Sequence, residues 1–206
     1  MIISDNRFFL SSTEGVIVEH PTSSKWIFQV SENGFLQGDF LQTEGDLDIS
    51  VLLNGIGARC DLNCGYLLND NNKININIHV EHKYSKTTSN QQIRGLASGR
   101  GQACFNGIIT IPYNSQKCDG HQNHRAVILS DTAQVISIPQ LEIWADDVKC
   151  AHGSAIGPLD KEQLFYLQTR GLTESQARKI LLSSFFNHFA SAEFDEIIQD
   201  WMARYV

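Results

Sequence analysis

The sequence predicts a mostly-β chain that ends in a compact helical region. Two observations carry that reading. Between Gly15 and Lys149, short apolar or alternating segments recur about every ten residues, separated by Gly, Asn or Asp. After Pro158 the apolar period lengthens to that of an α-helix, and helix-capping residues appear. The predicted division is residues 1–157 for the β unit and 158–206 for the helical region.

The first strand candidates are GVIVEH, KWIFQV, DLDISVLL and CGYLLN. The clearest follows: in KININIHVEH, Ile74, Ile76, Ile78 and Val80 alternate with polar residues, which puts them on one face. The NDNN run before it (69–72) supplies residues that tolerate turn geometry. FNGIITI, RAVILS, QVISI and LEIWA complete the set. Gly99, Gly101 and Gly107 in SGRGQACFNG read as turns, and Pro21, Pro112, Pro139 and Pro158 as segment ends. Strands at this spacing fit a sandwich or barrel as well as a stacked parallel β-helix, and no strict repeat period separates the two.

Three helices are predicted in the tail. The first carries Leu164, Phe165 and Leu167, with Asp160 as N-cap and Gly171 just past its C-terminus. Thr173 and Gln176 form a capping-box pair for the second, whose apolar stripe reads Ala177, Ile180, Leu181, Phe185 and Phe189. Phe194, Ile197, Ile198 and Trp201 mark the third.

Composition narrows the function classes. The chain has 206 residues and a net charge of −7, with Lys and Arg scattered, which disfavours nucleic acid as a main partner. No apolar run approaches the ~20 residues that span a bilayer, and MIISDNRFFLSS lacks the charge and apolar length of a signal peptide. Five cysteines, an odd number, point to reduced thiols and a cytoplasmic location.

Candidate chemistry is sparse. Cys60 and Cys64 are too far apart on a strand for one metal ion and read as packing. Cys118, His121 and His124 lack a fourth ligand nearby, and His79 and His82 point to opposite faces; both sets read as surface polar residues. Asp146 and Asp147 are adjacent, so on a strand they diverge, which weakens a carbohydrate-acting enzyme. There is no phosphate-binding glycine loop, nucleophile elbow or zinc-protease motif. Cys150 and His152 share a face of an extended segment, with Cβ atoms roughly 7 Å apart. They are too few for a finished metal site. A core thiol beside a strand-end histidine, a reactive thiol, and half of a shared site all remain open.

The run PQLEIWADDVKCAHGSAIGPLDKEQLFYLQTRGL, Pro139 to Leu172, closely resembles the C-terminal signature of the SufB/SufD family, scaffold-like subunits of the SUF iron–sulfur cluster assembly system. TTSNQQIRGLASGRGQACFNGIITI and NHRAVILSDTAQV also fit, and the resemblance covers about residues 50–190. K-C-x-H-G marks the SufD branch, where SufB-like chains carry a V-E-H-E-A type run. The resemblance implies a right-handed parallel β-helix followed by a C-terminal helical region. It implies a non-enzymatic subunit that pairs with a SufB-like subunit through the β-helix ends. It further implies a SufC-like ABC ATPase on the helical region, where Asp160, Phe165, Tyr166, Arg170 and Gly171 are the candidate contacts. His152, with Cys150 beside it, would face the SufB-like partner where a transient iron–sulfur cluster is built; no tightly bound cofactor is expected. Family members carry a longer N-terminal region, so this chain reads as a short or N-terminally truncated member. The alternative from another class is a stand-alone homodimeric β-helix that binds a metal or ligand through Cys150 and His152, or through Cys118, His121 and His124.

Overall fold

In a computed structural model, residues 7–10, 13–20, 24–186 and 192–206 are described. Twelve strands come first: β1 (Arg7–Leu10), β2 (Thr13–His20), β3 (Ser24–Val30), β4 (Phe35–Gln42), β5 (Leu47–Leu53), β6 (Arg59–Leu68), β7 (Lys73–His82), β8 (Thr88–Ala97), β9 (Gln102–Ile111), β10 (Cys118–Ile128), β11 (Gln134–Ile143) and β12 (Val148–Pro158). Three helices follow: α1 (Lys161–Thr169), α2 (Glu174–Phe185) and α3 (Ala192–Tyr205). The odd strands form one six-stranded sheet and the even strands another, each in sequence order. Every described pairing is parallel. The chain therefore winds as a parallel β-helix, one strand per sheet in each rung, and the choice left open between sandwich and β-helix is closed.

Alternation decides which residues fill the interior. In β7 the burial runs exposed–buried along KININIHVEH, with Ile74, Ile76, Ile78, Val80 and His82 inside. At the N-terminal end the two sheets meet through aromatic rings: Phe28 of β3 lies edge-on to Phe40 of β4, centroids 6.2 Å apart. The rung repeat that the sequence hides appears in the cross-rung bonds, such as Asn77 to Asp48, 29 residues apart, and Gln122 to Gln91, 31 apart. Turn lengths vary from rung to rung, which is why no strict period shows in the text.

The even sheet is covered on both sides at its C-terminal end. In β4, β6 and β8 the last residues are buried without alternation. Their outward side chains Leu41, Leu67 and Leu96, with Val127 of β10, pack against Leu182, Phe186, Phe194, Ile198, Trp201 and Met202 of the helical region. Strands buried on both faces read as continuous apolar runs, and GYLL and AVIL are such runs. Each buried leucine contributes on the order of 2 kcal/mol, so this seam holds the helices to the sheet.

Several element readings need correction. QVISI and the LEI of LEIWA form a single strand, β11, with Pro139 in its middle, while Trp144 and Ala145 lie beyond its end. Proline is tolerated there because β11 is an edge strand, and an edge has a side that makes no ladder bond. β4 and β8 do not stand out in the sequence, because Gly38, Gln91 and Gly95 occupy interior positions. Gly107 is not a turn but an interior position of β9, where an added Cβ would come within 2.5 Å of the Gln122 amide. In α2 the buried residues are Ala177 and Leu182, while Ile180 is exposed; the helix turns the Leu182–Phe186 line toward the sheet. Phe189 lies outside the described residues. Both predicted caps form: Asp160 accepts from the Glu162 and Gln163 N–H groups, and Thr173 and Gln176 close a reciprocal capping box.

Gly95 shows how tightly the interior is filled. It lies opposite Tyr66 in register, and a Cβ there would sit 1.8 Å from Tyr66 Cζ. Gly95→Ala is expected to cost about 3 kcal/mol, the upper end of overpacking penalties, read as a lower urea midpoint at unchanged slope.

Candidate functional site

The interior of the even sheet changes character along the solenoid. One inward row reads Leu36, Cys60, Ser89, Gly120, Cys150, and the next Gly38, Leu62, Gln91, Gln122, His152. A third reads Phe40, Cys64, Ile93, His124, Ser154. Apolar side chains and thiols in the early rungs give way to amides and imidazoles in the later ones, with Cys150 as the last thiol. Cys150 and His152 are the last members of their rows, on β12, with no strand beyond them among the described residues. The sharing of a face read from their spacing is thus a sharing of the inward face, at the open end of the β-helix.

Their surroundings differ. Cys150 is half-buried and packs with Ile109, Ile111 and Cys118. Burial raises its thiol pKa, opposed in part by the Gly120 backbone, so the thiol stays protonated and its nucleophilicity is low. His152 is exposed. It borders a shallow groove of about 510 Å³ lined also by Asn90, Gln92, His121 and Asn123.

Below this rung lies a polar network that sequence reasoning missed. His82 is fully buried, its Nδ1 2.8 Å from Thr87 Oγ1 and its Nε2 2.8 Å from Ser89 Oγ. Thr87 Oγ1 lies 3.2 Å from Cys118 Sγ. His124 is also fully buried, between Tyr66 Oη at 3.0 Å and Ser137 Oγ at 2.9 Å, and Phe105 packs on its ring. Gln122 donates to Gln91 Oε1 at 2.8 Å. The reading of His82 and His124 as surface residues is therefore overturned. At a spacing of three, His79 and His121 face out, and their partners face in. The alternation through Cys118, Gly120, Gln122 and His124 was the available signal.

The same alternation separates Cys118, His121 and His124: the first and last are inside, while His121 pairs with Asp119 on the outer face at 2.8 Å. Among the described residues, no three His, Cys, Asp or Glu side chains lie together as metal ligands. Cys60 and Cys64 are core thiols whose pKa values burial raises.

The tail residues occupy a different surface. On α1, Phe165 and Tyr166 are exposed, and the Arg170 guanidinium stacks 5.2 Å from the Tyr166 ring centre. Asp160 is spent on the N-cap, and Gly171 takes φ +94 after the helix end. No helix among the described residues is long and apolar enough to cross a membrane.

Over residues 36–185 the sequence matches the family described as SUF system FeS cluster assembly, SufBD core domain. It is 33% identical over 151 residues to the iron–sulfur cluster assembly protein SufD of Escherichia coli K12, covering 73% of this chain and 34% of that protein. It is 43% identical over 90 residues to the chloroplastic protein ABCI7 of Arabidopsis thaliana, covering 44% of this chain and 19% of that protein. SufD of Plasmodium falciparum is 31% identical over 135 residues, covering 65% of this chain and 9% of that protein. The matched part thus spans about a third of the E. coli relative's length and less of the other two.

The buried histidines make stability depend on pH. Desolvation lowers the pKa of His82 from 6.5 to about 4, with Thr87 and Asp119 opposing it. Desolvation and the Arg94 charge lower that of His124 to about 4 as well. Between these values the unfolded chain binds more protons, so the contribution is full above pH 6.5 and is lost as pH falls toward 4. Urea unfolding at pH 5 is expected to show a loss of about 2 kcal/mol per histidine against pH 7, with a shallower slope in His124→Gln.

Proposed function

This chain belongs to the SufBD core-domain family of the SUF iron–sulfur cluster assembly system, and on that premise we propose that it is a non-catalytic scaffold subunit, pairing with a SufB-like subunit and binding a SufC-like ATPase. The observation that carries the pairing is the open last rung. Among the described residues β11 and β12 each have a neighbouring strand on one side only, leaving edges of 10 and 11 residues. Long unpaired edges recruit further strands. Ile136, Ile138, Trp144 and Ile156 are exposed at this end, so a subunit laid against it also removes apolar surface from water.

Such a partner covers the face that holds Cys150, His152 and Ser154. The cluster is cargo here rather than a resident group, and two donors of this chain are completed by donors from across the seam. His152 is the better placed of the two: it is exposed, while burial keeps the Cys150 thiol protonated. The helical region supports the second contact, because α1 presents Phe165 and Tyr166 to solvent on a helix with no buried residue. Hydrolysis is assigned to the ATPase because this chain has no phosphate-binding glycine loop. The same free edges accept a second copy when no partner is present, so the test belongs in the co-expressed complex.

In that complex His152→Ala is expected to leave assembly of the three proteins intact and to lower bound iron and sulfide about tenfold, the scale on which contacts around metal sites act. Undiminished cluster content in the purified complex would remove His152 from the role, and failure of the three proteins to co-purify would remove the pairing.

A further inference from the structure

One corner of the β-helix carries a repeated feature of which the proposed pairing uses only the last member, Trp144. The turns joining β5 to β6, β7 to β8, β9 to β10 and β11 to β12 stack on one another. Each exposes one large apolar side chain: Ile56 at 47%, Tyr84 at 43%, Tyr113 at 66% and Trp144 at 58%. Four rungs set this line at roughly 14 Å from end to end. Hydrogen bonds between turns hold it rigid: Lys86 N–H donates to Gln116 O at 2.9 Å, and Ser85 Oγ to Asn114 O at 3.2 Å.

Three successive turns of the corner, residues 54–58, 83–87 and 112–117, hold Lys83, Lys86 and Lys117 and no Asp or Glu. Exposed Arg59, Lys83, Lys86, Lys117 and Lys149 lie along it, on a protein of net charge −7. None of these five is in an ion pair among the described residues. Two of the lysines hold left-handed backbone, Lys86 at φ +62 and Lys117 at φ +60. The equivalent positions of the two preceding corners are Asn33 at φ +56 and Gly57 at φ +72, residue types that adopt this conformation readily. Lysine does not, so its side chain is kept there against a backbone preference.

The pattern around the line defines what fits it. Carboxylates flank it on both sheet faces, Glu81 and Glu142 on one and Asp61 and Asp119 on the other, and Asp146 and Asp147 stand at its end. A bilayer or a duplex laid across the corner meets those carboxylates, whereas a short extended chain confined to the Ile56, Tyr84 and Tyr113 turns runs between the flanking ones and stops short of Asp146 and Asp147. At the Gly57 end a cleft of about 520 Å³, lined by Asn33, Phe35, Gly57, Arg59, Asp61 and Thr88, offers room for an apolar side chain.

We propose that this corner, with Ile56, Tyr84, Tyr113, Lys86 and Lys117 at its centre, is a docking site for an extended acidic segment of a partner protein. The aromatic side chains supply contact area at low entropy cost, and the lysines give the contact its sign and its salt dependence. The site is independent of Cys150 and His152.

The test uses the full chain and a blocked synthetic peptide of repeated Glu–Asp–Phe, with a Gln–Asn–Phe version as control, by calorimetry at low ionic strength. Saturable binding of the acidic peptide alone is expected, weakening as salt is added. The double variant Lys86→Gly and Lys117→Gly removes the charges and suits the left-handed backbone. It is expected to bind about fivefold more weakly while its thermal midpoint stays equal or rises. Tyr113→Ser is expected to weaken binding with the salt dependence unchanged. No saturable binding, or equal binding by the double variant, overturns the proposal. So does tighter capture of single-stranded oligonucleotide or phosphatidylserine vesicles through the same lysines, which would assign the corner to a different partner class.

Discussion

Parallel, in-register stacking of the rungs is the constraint on which the rest of the structure depends. Each inward position meets its counterpart one rung away, so the interior is a set of rows rather than a set of pairs. A row can change its chemistry gradually, and these rows do. Phe40, Cys64, Ile93, His124 and Ser154 pass from ring to thiol to alkyl to imidazole to hydroxyl while keeping one geometric slot. Glycines adjust the rows locally: Gly95 admits the Tyr66 ring and Gly107 admits the Gln122 amide. The register thereby lets a well-packed interior carry buried polar groups without leaving His82 or His124 unsatisfied.

The same stacking makes the two sheets unequal on their outer faces. The odd sheet has polar outward rows, such as Asp48 and Asn77 in contact at 2.7 Å. The even sheet carries Leu67, Leu96 and Val127 in one outward row, a stripe that must be covered, and the helices return to cover it. Arg94 sits at the margin of this seam. Its guanidinium bonds Gln92 and Asn123 and lies 5.8 Å from the Phe185 ring centre. Burial and the neighbouring Arg125 lower its pKa to about 10. The helical region is therefore tied to the β-helix by its second and third helices, while the first stays exposed.

A solenoid cannot satisfy its own ends. Every interior rung has two neighbours, but the last has one, and its inward side chains face outward from the molecule. That geometric fact exposes His152 and leaves Cys150 half-buried, without any change in their alternation. It also concentrates exposed isoleucine and tryptophan beside two free strand edges. An end that is both strand edge and apolar face is a surface that further strands can cover, and this is what supports the pairing proposed above.

The sequence by itself determined the strand-rich unit, the helical tail, both helix caps and the shared face of Cys150 and His152, because these depend on period and on neighbours a few residues away. The motif from Pro139 to Leu172 was also sufficient for the family. Tertiary structure alone decided the inside from the outside of each alternating run. That choice placed His82 and His124 in the core, placed Gly107 under an amide rather than in a turn, and rotated α2 so that Leu182 rather than Ile180 met the sheet. It also decided the stacked corner, since Ile56, Tyr84, Tyr113 and Trp144 stand about thirty residues apart in a repeat whose turns differ in length. Local pattern fixes which side chains share a face; only the closure of the solenoid, by burying one face against the other sheet, fixes which face that is.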